Sequence, residues 1–204
     1  MSVDGFELLA EAHAYLLAAV RGVPEDGWGA ATPCSEWTVR QVFHHARLDQ
    51  LALTAQITGD APDGDPFAPV DALDGDGRDA VVRLAAVLDG AMKAWESVRE
   101  AETVPTPMGP MPAQAATAVA ALDAAVHAWD IARATGQDLP LTESLAERLE
   151  GPAARIVDFV RDNFGKFGPV VDAPDVDAPD ADGGHAARLL AFTGRDPRWT
   201  PQAG

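Results

Sequence analysis

The residues able to do chemistry in this chain sit where a helix should be apolar. In "ALDAAVHAWD", residues 121–130, Asp123 and His127 stand four apart inside an alanine-rich run, with Asp130 three further on. Side chains at i and i+4 of a helix share a face, with Cβ atoms about 5–6 Å apart. A divalent metal with ligand bonds of about 2.0–2.2 Å can bridge a carboxylate oxygen and an imidazole nitrogen over that gap. The same spacing also suits a simple charge-assisted hydrogen bond that holds a half-buried imidazole, so the pair by itself leaves both readings open. A third donor comes from His45, on an inner stripe with Val42, Ala46 and Asp49. Asp49, one turn from His45, could orient its imidazole from behind. His44 points about 100° round the helix, towards solvent or the helix boundary. His13 reads as a core histidine bonded to a carbonyl or carboxylate, and His185, in an acidic region, as a surface residue.

These donors must be positioned by helices. Phe6, Leu9, His13, Leu16, Leu17 and Val20 recur at three- and four-residue spacing and predict a first amphipathic helix. "TPCSEW" gives a turn in which Thr32 and Ser35 are candidate caps. A second helix is expected from about Trp37 to Thr58, ended by Gly59. A third is expected over 78–102, with Val82, Leu84, Ala85, Leu88, Met92 and Trp95 inward. "TVPTPMGPMP" (103–112) is too rich in Pro and Gly for a helix and suits a short extended pair. A fourth helix over 113–135 stops at Gly136, a fifth covers 143–163 and a short sixth 185–192. The expectation is an all-α helical bundle over residues 1–165, with 166–204 as an acidic loop, short helix and tail packed on it.

Composition narrows the function. With 32 acidic against 15 basic residues the net charge is −17, so counterion release cannot favour nucleic acid as a partner. Much of the acid lies in "GDAPDGDPFAPVDALDGDGRD" (59–79) and "VDAPDVDAPDADGG" (171–184), which read as solvated connectors. Neither keeps the alternating Asp register and distal Glu of a calcium loop. No stretch approaches a membrane span. The N-terminus lacks the basic region of a signal peptide, and the single cysteine, Cys34, fits a reducing cytoplasm; the expected location is cytoplasmic. Its turn position and the lack of a neighbouring base give Cys34 a packing role.

"TPCSEWTVRQVFHHA" (32–46) resembles the N-terminal signature of the mycothiol-dependent maleylpyruvate isomerase family, part of the DinB-like superfamily. "LDAAVHAWDIARATGQDLPL" (122–141) is similar to its second signature, and "ARLLAFTGRDPRW" (187–199) to the tail of an actinobacterial subgroup. The resemblance implies a DinB-like four-helix bundle with short C-terminal additions. It also implies one divalent metal held by His45, Asp123 and His127, with further positions left to water or substrate. The family's second signature has Glu where this chain has Asp123, a side chain one methylene shorter. That departure leaves room for Asp49 or Asp130 to take part.

Two histidines and one carboxylate with open positions are the layout of a catalytic metal site. Zinc is the first expectation on ligand type, and nickel, iron and manganese accept the same donors. The resemblance implies mycothiol as cofactor and an isomerase or thiol transferase acting on a small electrophile. The competing readings are a non-catalytic metal- or ligand-binding helical module, and a thiol-independent biosynthetic enzyme on the same fold. Expected partners are a small-molecule substrate or thiol, with no membrane, in a monomer or homodimer. Arg133, Arg155, Arg188 and Arg195 are candidates for holding an acidic substrate, or else surface and salt-bridge residues.

Overall fold

The computed structural model describes residues 4–68, 70, 72–172 and 184–201, so most of the second acidic segment lies outside the described residues. Among the described residues six α-helices run in order: α1 Gly5–Arg21, α2 Val39–Thr58, α3 Gly77–Ser97, α4 Ala113–Ala134, α5 Glu143–Phe164 and α6 His185–Phe192. Among the described residues no helix is long and apolar enough to cross a membrane.

Helix starts follow local capping chemistry. Asp4 accepts the Phe6 amide at the head of α1, and Asp76 accepts those of Arg78 and Asp79 at the head of α3. α2 begins later than Trp37, because Thr38 and Gln41 form a capping box, with the Thr38 amide donating to Gln41 Oε1 at 2.8 Å. Thr32, expected as a cap, instead closes the preceding turn, its hydroxyl donating to the Trp37 carbonyl at 2.8 Å. α3 ends at Ser97, five residues short of the expected 102. Val82 is not inward but 68% exposed; the buried stripe is Ala80, Leu84, Leu88, Ala91 and Trp95. Val104 and Met111 exchange two backbone hydrogen bonds, which is the expected extended pair.

α4 is the axis of the molecule. It packs against α1, α2 and α5, while α3 packs against α1 and α2, so α1, α4, α2 and α3 close a four-helix ring with α5 outside. This is why α4 is alanine-rich and buried nearly all round: small side chains let neighbouring backbones come close on several sides. At Gly5 a Cβ would lie 2.2 Å from the Gln114 carbonyl oxygen, so α1 reaches α4 only with glycine there. α6 packs on α5. After it, Gly194 (φ 85°) crosses Gly168 so closely that a Cβ would fall 2.7 Å from the Gly168 Cα. That crossing delivers Arg195 to the core, where it is 5% exposed.

Candidate metal centre

α2 and α4 meet across the ring with His45 facing Asp123 and His127. One donor atom from each of the three lies within 4.8 Å of the other two. The imidazole rings meet edge to face, with centroids 4.7 Å apart at 89°. His127 Nε2 is 3.4 Å from Asp123 Oδ1. His44, the alternative register, faces away from this cluster and is half-buried rather than exposed.

The remaining ring nitrogens are accounted for. His45 Nδ1 lies 3.0 Å from the Pro66 carbonyl, which can only accept, so Nδ1 carries the proton and Nε2 is left bare. His127 Nδ1 sits 3.2 Å from Asp130 Oδ2. Asp130 is in turn held by Arg195, whose Nη2 donates to Oδ2 at 2.9 Å and Nε to Oδ1 at 3.4 Å. Both imidazoles are therefore fixed through Nδ1 and present Nε2 to the shared space, as a metal-binding pair requires. Asp49 does not orient His45 from behind. Its Oδ2 lies 3.5 Å from Nε2, on the same side as Asp123, because the 59–76 loop has taken the other nitrogen.

Without a metal the cluster is electrostatically divided. Burial, reinforced by the His127 charge, lowers His45 to about 4, so this imidazole is neutral at pH 7. Burial also works against a charge on His127. The Asp123 carboxylate, aided by Asp130, overrides it and raises His127 to about 9. For Asp123, burial opposes ionisation but the His127 charge and hydrogen bond win, and its pKa is lowered. Asp49 is pushed the other way, by burial and then by the Asp123 charge, so it is the carboxyl that keeps its proton. The donors are three side chains of the right type; His45 Nε2 is bare, His127 Nε2 becomes so once it gives up its proton, and the set fits a divalent ion.

Three contributors, Gln50, Pro66 and Phe67, lay outside the sequence expectations. Gln50 is fully buried, with its amide donating to Asp123 Oδ2 at 3.2 Å and to the Ala120 carbonyl at 3.2 Å. His13 Nε2 donates to Gln50 Oε1 at 2.8 Å, so the core histidine is bonded to a carbonyl oxygen as expected, that of a side-chain amide. Its Nδ1 has no hydrogen-bond partner among the described residues. The spacing Val42, Ala46, Gln50, Thr54 was the available signal for Gln50. Pro66 and Phe67 come from a loop that reads as a solvated connector. The Phe67 ring stands 5.0 Å from His45, with Trp37 at 4.7 Å on another side. Arg195 is a buried ion-pair partner rather than a substrate grip. Arg133 Nε is taken by the Trp199 carbonyl at 2.6 Å, and Arg188 Nη2 pairs with Glu150 at 3.1 Å. Arg155 is exposed. Cys34 is half-buried with its thiol pushed up to about 11, by burial first and the Asp130 charge second, consistent with packing rather than nucleophilic use.

The sequence model of the mycothiol maleylpyruvate isomerase N-terminal domain family matches residues 9–132, the span that holds α2, α3, most of α1 and α4, and the whole donor cluster. The chain belongs to this family. Two relatives from Mycobacterium tuberculosis, the uncharacterized protein Rv0738 of strain H37Rv and the uncharacterized protein MT0763 of strain CDC 1551, are each 33% identical over 191 residues, covering 92% of this chain and 94% of theirs. The crystal structure of a histidine-to-alanine mutant of the mycothiol-dependent maleylpyruvate isomerase superposes with a TM-score of 0.55 at 15% identity. The match covers 79% of this chain and 72% of that one, and it establishes the all-helical fold as shared. Membership of the isomerase N-terminal domain family thus rests on the sequence match over residues 9–132, and the structural likeness adds the fold.

Proposed function

We propose that this member of the family binds one divalent metal ion, zinc in first place, through His45 Nε2, Asp123 and His127 Nε2, and acts as a mycothiol-dependent isomerase or transferase on a small electrophile. The observation that carries this is the convergence of three donor atoms within 4.8 Å, with both Nδ1 atoms already bound elsewhere. Bound there, a divalent ion supplies Lewis acidity that favours the thiolate of a small thiol at neutral pH, the nucleophile that isomerisation and thiol transfer both need.

The chain's own residues would do the rest. Asp130, anchored by Arg195, keeps the proton of His127 on Nδ1 and away from the donor nitrogen. Pro66 does the same for His45. Trp37 and Phe67 flank His45 and limit water on that side. Asp49, which keeps its proton beside Asp123, is placed to hold or return one at the edge of the cluster.

Elemental analysis of protein purified without a metal column is expected to return about one divalent ion per chain. Turnover of maleylpyruvate or related electrophiles is expected only with mycothiol added. Metal-free protein would remove the reading, and equal turnover without thiol would remove its thiol-dependent part while leaving the metal.

A further inference from the structure

On the adjoining face of α2, a cavity of about 370 Å³ opens between that helix, α3 and the 63–74 part of the loop. Arg40, Arg47, Arg83 and His44 line it above Phe43 and Leu48, and none of the donors of the metal centre reaches it. In a chain of net charge −17, three of the 15 Lys and Arg side chains therefore face one cavity.

Among the described residues their charges are poorly compensated. Arg40 is engaged, its Nε donating to the Trp28 carbonyl at 3.3 Å. Arg83 lies 3.5 Å from Asp74, whose side chain is 98% exposed, a solvated contact of little worth. Arg47 is half-buried, yet among the described residues it makes no hydrogen bond or ion pair. The Arg83 charge acts on it unfavourably, and Asp74 offsets this only in part. The other carboxylate among the described lining residues, Asp63, is exposed at the rim. Two guanidinium groups that repel each other beside an apolar floor are stabilised when an anion lies between them.

We propose that this cavity is a binding site for a small organic acid, its carboxylate held by Arg47 and Arg83 and its apolar body against Phe43 and Leu48. The planar guanidinium fork matches a carboxylate in two parallel hydrogen bonds. The volume suits a molecule of one ring or a short chain. Solvated Asp63 and Asp74 at the rim exclude large polyanions and leave room for a single negative charge.

Benzoate, titrated into the full chain as purified and followed by calorimetry and amide NMR, is the probe. Saturable binding is expected, with shifts concentrated over residues 43–51 and 73–83, and none with neutral benzamide. Arg47→Gln and Arg83→Gln should each weaken benzoate about tenfold or more, as loss of a charge-assisted pair does. Arg47→Lys, which keeps the charge but not the fork, should retain part of the affinity. His127→Ala, on α4 and away from the cavity, should leave benzoate binding unchanged while metal is lost. The proposal is overturned if benzoate does not saturate, if Arg47→Gln binds as tightly as the parent while folded, or if inorganic phosphate binds more tightly. It is also overturned if His127→Ala abolishes benzoate binding, since the carboxylate would then lie at the metal centre. The metal reading survives any of these outcomes and fails only on its own elemental analysis.

Discussion

Gln50 Nε2 donates to Asp123 Oδ2 at 3.2 Å, and His13 Nε2 fixes that amide by donating to Gln50 Oε1 at 2.8 Å. The His13 proton forces the amide oxygen towards α1 and the amide NH₂ towards α4, because a carbonyl oxygen cannot donate. One oxygen of Asp123 is thereby tied down, while Oδ1 faces His127. Asp123 is a short acid, and a buried amide from α2 holds it in place.

Gln50→Leu is therefore expected to keep the fold and to weaken metal binding about 10- to 100-fold, the usual loss when a partner of a metal ligand is removed. Competition against a chromophoric chelator measures it. Unchanged affinity would reduce Gln50 to a packing residue.

Asp123→Glu is expected to retain about one metal ion per chain, since the longer acid reaches the same space without the amide's help. In that background Gln50→Leu should cost less than it does beside Asp123, and a double-mutant cycle on metal affinity reads the coupling directly. Equal costs in both backgrounds would show that the two residues act independently.

His45→Ala and His127→Ala should each abolish stoichiometric metal, while His44→Ala and His185→Ala leave it. His185 is engaged in a partly exposed pair with Glu150 at 3.0 Å, remote from the donors in the fold. Metal lost on replacing His44 alone would put the register of α2 in error.

Metal uptake at pH 7 should release protons. His127, raised to about 9 in the metal-free protein, must lose one to become a ligand, whereas His45, lowered to about 4, has none to lose. Calorimetry in buffers of different ionisation enthalpy counts them. The same two shifts shape metal-free stability. The contribution of His127 is complete below its unfolded value of 6.5 and is lost as pH rises through about 9. For His45 the unfolded chain binds the extra proton, so stability falls as pH drops from 6.5 towards 4. Asp49, raised from 3.8 to about 8, holds its proton in the folded chain only and so opposes the acid loss and adds to the alkaline one. The melting temperature of the metal-free protein should thus decline more steeply above about 6.5 than below it, and metal should flatten the alkaline limb.

Arg195→Leu leaves Asp130 charged and buried with only His127 as partner. Breaking one side of such a pair costs about 3–5 kcal/mol, which urea unfolding would register as a lower midpoint at unchanged slope. A loss near zero would mean that the other contacts of the C-terminal segment, the Gly168–Gly194 crossing and the Arg133–Trp199 hydrogen bond among them, hold it without this pair.

The helices and the pairing of Asp123 with His127 were legible in the sequence because both follow from helical geometry within one segment. Apolar residues at three- and four-residue spacing mark a buried stripe, and a polar residue on that stripe is visible as an anomaly. Choosing His45 over His44 was possible for the same reason, since consecutive residues point about 100° apart. Val82 misled because an apolar side chain near the end of a stripe can lie in solvent at small cost.

What the sequence by itself determined is thus a set of local relations: the presence and order of the helices, most of their faces and the spacing of two donors on α4. Tertiary structure alone decided that Pro66 and Phe67, from an acidic loop, close on His45, that Arg195 anchors Asp130 from some sixty residues away, and that Gln50 links α1 to Asp123. Each of these is a contact between segments, fixed by how alanine-rich α4 lets its neighbours approach and by where two glycines allow the chain to cross. No periodicity along a single helix encodes such distances, because they belong to the packing of several elements at once.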